Sequence, residues 1–164
     1  MFICGFIGAF MKKWSLAVIL FFSCFCSCLS AQSAEKVTEM LSTEKITVSQ
    51  TAYFAASWLN LIDDGASGAD AVQKLSSAGI WKTSLKTDDK MNLCQFAGLC
   101  MKTWKIKGGL LYSVTHLDRY AFREFQAKDF IKRTEDPSAA VSGRRALILF
   151  TRCMELVEPA GEKQ

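Results

Sequence analysis

TVSQTAYFAASWLNLIDDG, residues 47–65, is the stretch on which the reading of the fold turns. Thr47 and Gln50 stand at capping-box spacing, a hydroxyl followed three residues on by a carboxamide. Val48, Ala52, Ala55, Leu59 and Ile62 then recur at steps of four and three, which places them on one helical face. Phe54, Trp58 and Leu61 widen that stripe. The spacing predicts a helix that starts at residue 48 and ends on Asp63-Asp64-Gly65, with Gly65 free to take the left-handed cap conformation.

Working outward toward the C-terminus, Ser67-Gly68 opens a second short helix over Ala69–Ala78, with Ala71, Val72 and Leu75 inward and Gly79 as its stop. Ile80–Leu85 reads as one or two more helical turns. Thr87–Lys90 is a polar break. Asn92–Lys107 mixes large apolar residues without one clean period, and Gly108-Gly109 signals a turn or hinge. Leu110–Leu117 has β-rich character, and Asp118–Lys132 reads as a helix with Ala121, Phe122, Phe125 and Phe130 inward and Asp118 as its cap. Thr134–Arg145 is linker-like. Ala146–Phe150 is an apolar run of strand length for which a helix is the alternative. No internal repeat is apparent.

Working outward toward the N-terminus, Lys12-Lys13 precedes the uncharged apolar run Trp14–Cys28, and small residues follow over Leu29–Ala34. That order is the one a secretory signal peptide shows. Met11 reads as the natural start and residues 1–10 as an upstream extension. Cleavage after Ser33 or Ser30 would release the mature chain. Leu16–Leu29 is short of the roughly 20 residues that span a bilayer as a helix. A membrane anchor, or lipid attachment at Cys24 or Cys28, is the alternative. The expected organisation is 1–33 signal peptide, 34–47 mobile lead-in, 48–157 a single small domain and 158–164 a polar tail.

Loss of Lys12 and Lys13 with the leader reduces the formal net charge from +4 to about +2, which is too small to argue for nucleic acid. Cys94, Cys100 and Cys153 remain. In an oxidising compartment one disulfide and one leftover thiol is the simplest outcome, and the spacing does not choose the pair.

Ala55-Ala56-Ser57-Trp58-Leu59-Asn60-Leu61-Ile62-Asp63-Asp64-Gly65, then a short helix, then Trp81-Lys82-Thr83-Ser84-Leu85, resembles a family of small exported bacterial proteins, the domain of unknown function numbered 4019. The resemblance implies an α+β fold, amphipathic helices packed on a curved antiparallel sheet, and no established activity. It stops near Lys90, beyond which the family's strands are missing. Arg119, Arg123, Arg133, Arg144, Arg145 and Arg152, which are all the arginines, follow residue 118. Either the reading frame changes near residue 90, or the second half has diverged or is a different domain. The expectation is therefore α+β: N-terminal helices on a small antiparallel sheet, with a second half that either completes the sheet or is mostly helical.

Residues with chemistry to offer are few. His116, the only histidine, could pair with Cys94, Cys100 or Cys153 as a nucleophilic couple. The same four residues form a nominal zinc set, but Cys94 and Cys100 lie further apart than the usual ligand gap. Asp63-Asp64 and Asp88-Asp89 are adjacent rather than paired across a cleft, and read as a helix exit and a turn. Trp58 and Trp81 read as core. Arg144-Arg145 with Arg152 reads as a solvated linker, with an anionic partner as the alternative. Gly108-Gly109 lacks the rest of a phosphate loop. No residue stands out as catalytic, cofactor-binding or metal-ligating. The sequence reads as an exported bacterial protein of the periplasm or exterior, a non-catalytic binding or structural protein of the envelope with a protein partner in view. It would touch the membrane only through an uncleaved or lipidated leader. An envelope enzyme or stress factor with an unmarked site is the alternative.

Overall fold

Thr47 starts a helix as expected. In the computed structural model, which describes residues 34–82 and 84–157, α2 runs Val48–Trp58. The Gln50 N–H donates to Thr47 Oγ1 at 3.2 Å, and the Thr47 N–H donates to Gln50 Oε1 at 3.1 Å. α1 (34–42) precedes it. After it come α3 (Gly68–Ser77), α4 (Leu93–Thr103), α5 (Leu110–Thr115), α6 (Asp118–Ala127) and α7 (Gly143–Val157). The leader, 1–33, and the tail, 158–164, lie outside the described residues. Thr38 begins the compact unit that holds α2 to α7.

Among the described residues there is no strand and no sheet. The β-type pairings among them are the isolated bridges Thr47–Lys90 and Asn92–Ala140. The expected α+β arrangement is thus corrected to a helical one, and the segments read as strands show why. Ala146–Phe150 lies inside α7, whose buried residues Ala146, Leu149, Phe150 and Cys153 follow helical spacing while Ile148 points out, 51 % exposed. Five residues are too few to reveal that period. Leu110–Leu117 contains α5, which buries only Tyr112. Two other expectations shift. Ile80–Leu85 is not helical in its described residues, and α2 ends seven residues before Gly65 because Asn60 takes the left-handed position, φ 53°. Residues 34–47, expected as a lead-in, contain α1 and place Met40 and Ile46 in the core.

A repeat organises the chain, although none is apparent in its sequence. Thr47, Asn92 and Ser142 each precede an inner helix, and each accepts the N–H of the residue three positions on, Gln50, Gln95 and Arg145. The residues just before them, Ile46, Met91 and Val141, are at most 1 % exposed and meet through their backbones. The Met91 N–H donates to the Ile46 carbonyl at 3.0 Å, and the Ile46 N–H donates to the Val141 carbonyl at 2.9 Å. The next turn repeats the pattern. Val48 donates to Asp89 and Leu93 to Ala139; Ser49 donates to Thr87 and Cys94 to Pro137.

The helix ends repeat as well. α2, α3, α4 and α6 each close with an amide donating five residues back, from Leu61 to Ala56, Ile80 to Leu75, Ile106 to Met101 and Phe130 to Phe125. Asn60, Gly79, Lys105 and Asp129 fill the left-handed positions of these Schellman-type ends. Residues 46–90 and 91–140 are therefore two copies of an inner-helix, outer-helix unit, and α7 supplies a third inner helix.

α4 explains its own unreadable pattern. Leu93, Phe96–Met101 and Thr103 are all buried, so the helix has apolar neighbours on nearly every side and no polar face to set a period. α2 and α3 pack together, as do α4 and α6. The approach of α4 to α6 depends on Gly98, where a Cβ would lie 2.1 Å from Asp118 Oδ1. Gly143 opens α7 where a Cβ would lie 1.6 Å from the Met40 carbonyl oxygen.

Candidate functional site

Phe54 and Trp58 are four residues apart on α2, outside the Val48, Ala52, Ala55 stripe that faces the core. α7 presents Leu147, Phe150, Thr151 and Met154 opposite them, and Trp104 closes the floor from the C-cap of α4. Together with Ser57 and Asn60 these residues line a cleft of about 650 Å³. Its aromatic rings form a continuous stack. Phe96 to Phe150 is 5.0 Å between centroids, Phe150 to Trp104 is 5.2 Å, and Trp104 to Trp58 is 6.0 Å. Such spacings are attractive beyond the area they bury, by about 0.5–1.5 kcal/mol a pair.

Two features make the cleft more than a packing gap. Trp58 is 37 % exposed at its mouth, whereas Trp81 is 3 % exposed in the core. Trp104 is 4 % exposed, and its buried Nε1–H has no hydrogen-bond partner. An unsatisfied buried donor costs about 1–3 kcal/mol. The neighbouring Thr103 Oγ1 is buried and unpartnered too. The lining carries indole, phenyl, thioether, hydroxyl and amide groups and no ionisable side chain.

Of the residues singled out in the sequence, Trp58, read as core, stands instead at the mouth of the cleft, while Trp81 is in the core; the others fall elsewhere. His116 is exposed at the left-handed C-cap of α5, beside Tyr112 at 5.5 Å between ring centroids. Cys94, Cys100 and Cys153 are free thiols, so the simple expectation of one disulfide is not met in this structure. Cys100 and Cys153 are fully buried; burial and then the influence of the Cys153 thiol push the Cys100 thiol well above its ordinary range. Burial also raises Cys94, with Asp118 adding to the effect. Among the described residues no group of three or more histidine, cysteine, aspartate or glutamate side chains is placed to hold a metal ion.

The Asp64 carbonyl accepts the Tyr53 hydroxyl at 2.8 Å, and Asp89 Oδ2 accepts the Lys86 N–H at 2.8 Å. Arg145 pairs with Glu135, and Arg152 Nη1 donates to the Asp129 and Phe130 carbonyls at 3.2 and 3.3 Å, capping the exit of α6. These two arginines tie loops to α7. Sequence reasoning missed the cleft because residues 58, 104 and 150 are distant in the chain. The one local signal is Phe54 and Trp58, four apart at the edge of the apolar stripe.

No family model matches the chain, and no curated protein matches its sequence.

Proposed function

We propose that this is an exported, non-catalytic binding protein whose site is the aromatic cleft between α2, α4 and α7. The carrying observation is the partly exposed Trp58 at the mouth of an uncharged cleft whose floor is the buried ring of Trp104. A ligand that stacks on the rings would cover exposed indole and gain ring–ring attraction. Ser57, Asn60 and Thr151 offer hydrogen bonds at the margin. Without a charge in the lining, the fitting ligand is small, flat and uncharged, partly apolar, with a carbonyl or ether acceptor on its edge. The volume lies within the range of small-molecule sites, about 300–1,000 Å³.

Groups of this kind bind and orient, whereas general acid–base chemistry needs a titratable side chain within reach. Export rests on the leader's order of charge, apolar run and small residues. Among the described residues no helix is long and apolar enough to cross a membrane. The family likeness of residues 53–85 implies no activity and adds nothing to this reading.

Tryptophan emission titrated with flat uncharged heteroaromatics bearing carbonyl acceptors, caffeine among them, tests it. Saturable quenching that Trp58→Ala removes is expected. Quenching that only rises linearly, equal in both proteins, would reject the cleft as a site.

A further inference from the structure

Leu110, Leu111 and Val114 of α5 are 81 %, 56 % and 74 % exposed, and Leu117 just beyond it is 56 % exposed. Residues 110, 111 and 114 share one helical face. The repeat shows that the fold does not require them. In the first copy a helix-free link, residues 60–67, joins the inner to the outer helix; in the second copy the corresponding link carries α5 as an insertion. α5 is nonetheless fixed in place. Tyr112 is buried beneath it, and the Gly109 N–H donates to Glu124 Oε1 at 2.8 Å. A held, exposed apolar ledge marks an interaction surface.

Charge around the ledge selects the partner. Lys105 and Lys107 are exposed before it, and His116 and Arg119 after it. A groove of about 450 Å³ beside α5 is lined by Lys102, Lys105, Lys107 and His116 and by no carboxylate. The two nearby acids are occupied, Asp118 by Lys102 at 3.1 Å and Glu124 by Gly109. Leucine and valine rimmed by cations match a bilayer surface bearing anionic phospholipids, with phosphates against Lys105 and Lys107 and acyl chains over Leu110, Leu111 and Val114. A second copy fits poorly, because a twofold interface sets the same basic rim against itself. We infer that α5 docks this protein onto anionic phospholipid membranes, independently of the leader and of the aromatic cleft.

The test uses the full chain carrying Leu111→Trp, read as the difference from the unsubstituted chain so that any binding by the leader is common to both. Vesicles are phosphatidylcholine with or without phosphatidylglycerol, and a doxyl-labelled lipid serves as quencher. The introduced tryptophan should shift to the blue and be quenched on the anionic vesicles. Lys105→Glu with Lys107→Glu, or Leu110→Ser with Val114→Ser, should weaken that response about tenfold or more. Circular dichroism should not change, since all four side chains are exposed. An introduced tryptophan that stays silent on anionic vesicles, even with the chain bound through another segment, overturns the assignment. So does a response equal on phosphatidylcholine alone. Self-association without lipid that Leu110→Ser with Val114→Ser abolishes would assign the ledge to a second copy instead.

Discussion

Trp58 lies against Trp104 with ring centroids 6.0 Å apart and planes inclined by 36°, one ring at the surface and the other buried. The pair separates binding from folding. Trp58→Ala removes a ring that is 37 % exposed, so it should cost on the order of 1 kcal/mol of stability while weakening ligand binding more than tenfold. Paired denaturant melts and ligand titrations check this. A large loss of stability with binding retained would assign Trp58 to the core.

Trp104→Phe removes the unpartnered N–H together with part of a buried ring. Relief of the unsatisfied donor, about 1–3 kcal/mol, opposes the cost of the lost ring volume. The net change in stability should be smaller than for Trp81→Phe, another buried tryptophan, which has no unsatisfied indole N–H to relieve. Denaturant midpoints of the two variants decide it.

Alanine is the better helix former by about 1 kcal/mol, so Gly143→Ala would stabilise α7 on propensity alone. The Met40 carbonyl oxygen, 1.6 Å from the new Cβ, reverses that sign. Backbone must move, and a net loss of about 2 kcal/mol is expected. A variant that melts higher than the parent would contradict the contact between α1 and α7.

α2 and α3 announce themselves because Thr47 with Gln50, and Ser67 with Asp70, are capping boxes, each followed by small and apolar residues at helical spacing. α4 has an equally good box in Asn92 and Gln95, but its burial on nearly all sides erased the period that would have confirmed it. The repeat stayed hidden because its copies conserve roles, not letters. Thr47, Asn92 and Ser142 all cap, and Asn60 and Lys105 both turn left-handed, across spacings that the α5 insertion makes unequal. The α+β expectation fails where β-branched and aromatic residues are read locally: tertiary burial overrides strand propensity in α7, whereas α5 is helical with only Tyr112 buried. The cleft was beyond local reading, being assembled from three helices.

Acid should reveal the Glu135–Arg145 link. Burial pushes the Glu135 carboxyl up, yet the Lys132 N–H at 2.9 Å and the Arg145 guanidinium outweigh it and hold the group below the usual carboxylate range. A depressed folded pKa stabilises the fold above the unfolded value of about 4.3, and that contribution is lost as the pH falls through the folded value. The melting temperature should therefore drop between about pH 5 and 3, and less steeply in Glu135→Gln. Identical slopes would remove Glu135 from the account.

The thiols should react in two classes. Cys94 is half-buried, whereas Cys100 and Cys153 are fully enclosed. Under reducing preparation, Ellman's reagent should titrate Cys94 in the native domain and reach Cys100 and Cys153 only at the rate of unfolding. Rapid native labelling of all three would place the α4–α7 contact in error.

The most direct measurement follows the indole N–H resonances in a proton–nitrogen correlation spectrum while caffeine, as a flat uncharged acceptor, is added. The Trp58 and Trp104 signals should shift together as the ligand stacks on their rings, and Trp81 should stay in place. A Trp104 resonance that does not move while Trp81 or distant amides respond would contradict the cleft as the binding site.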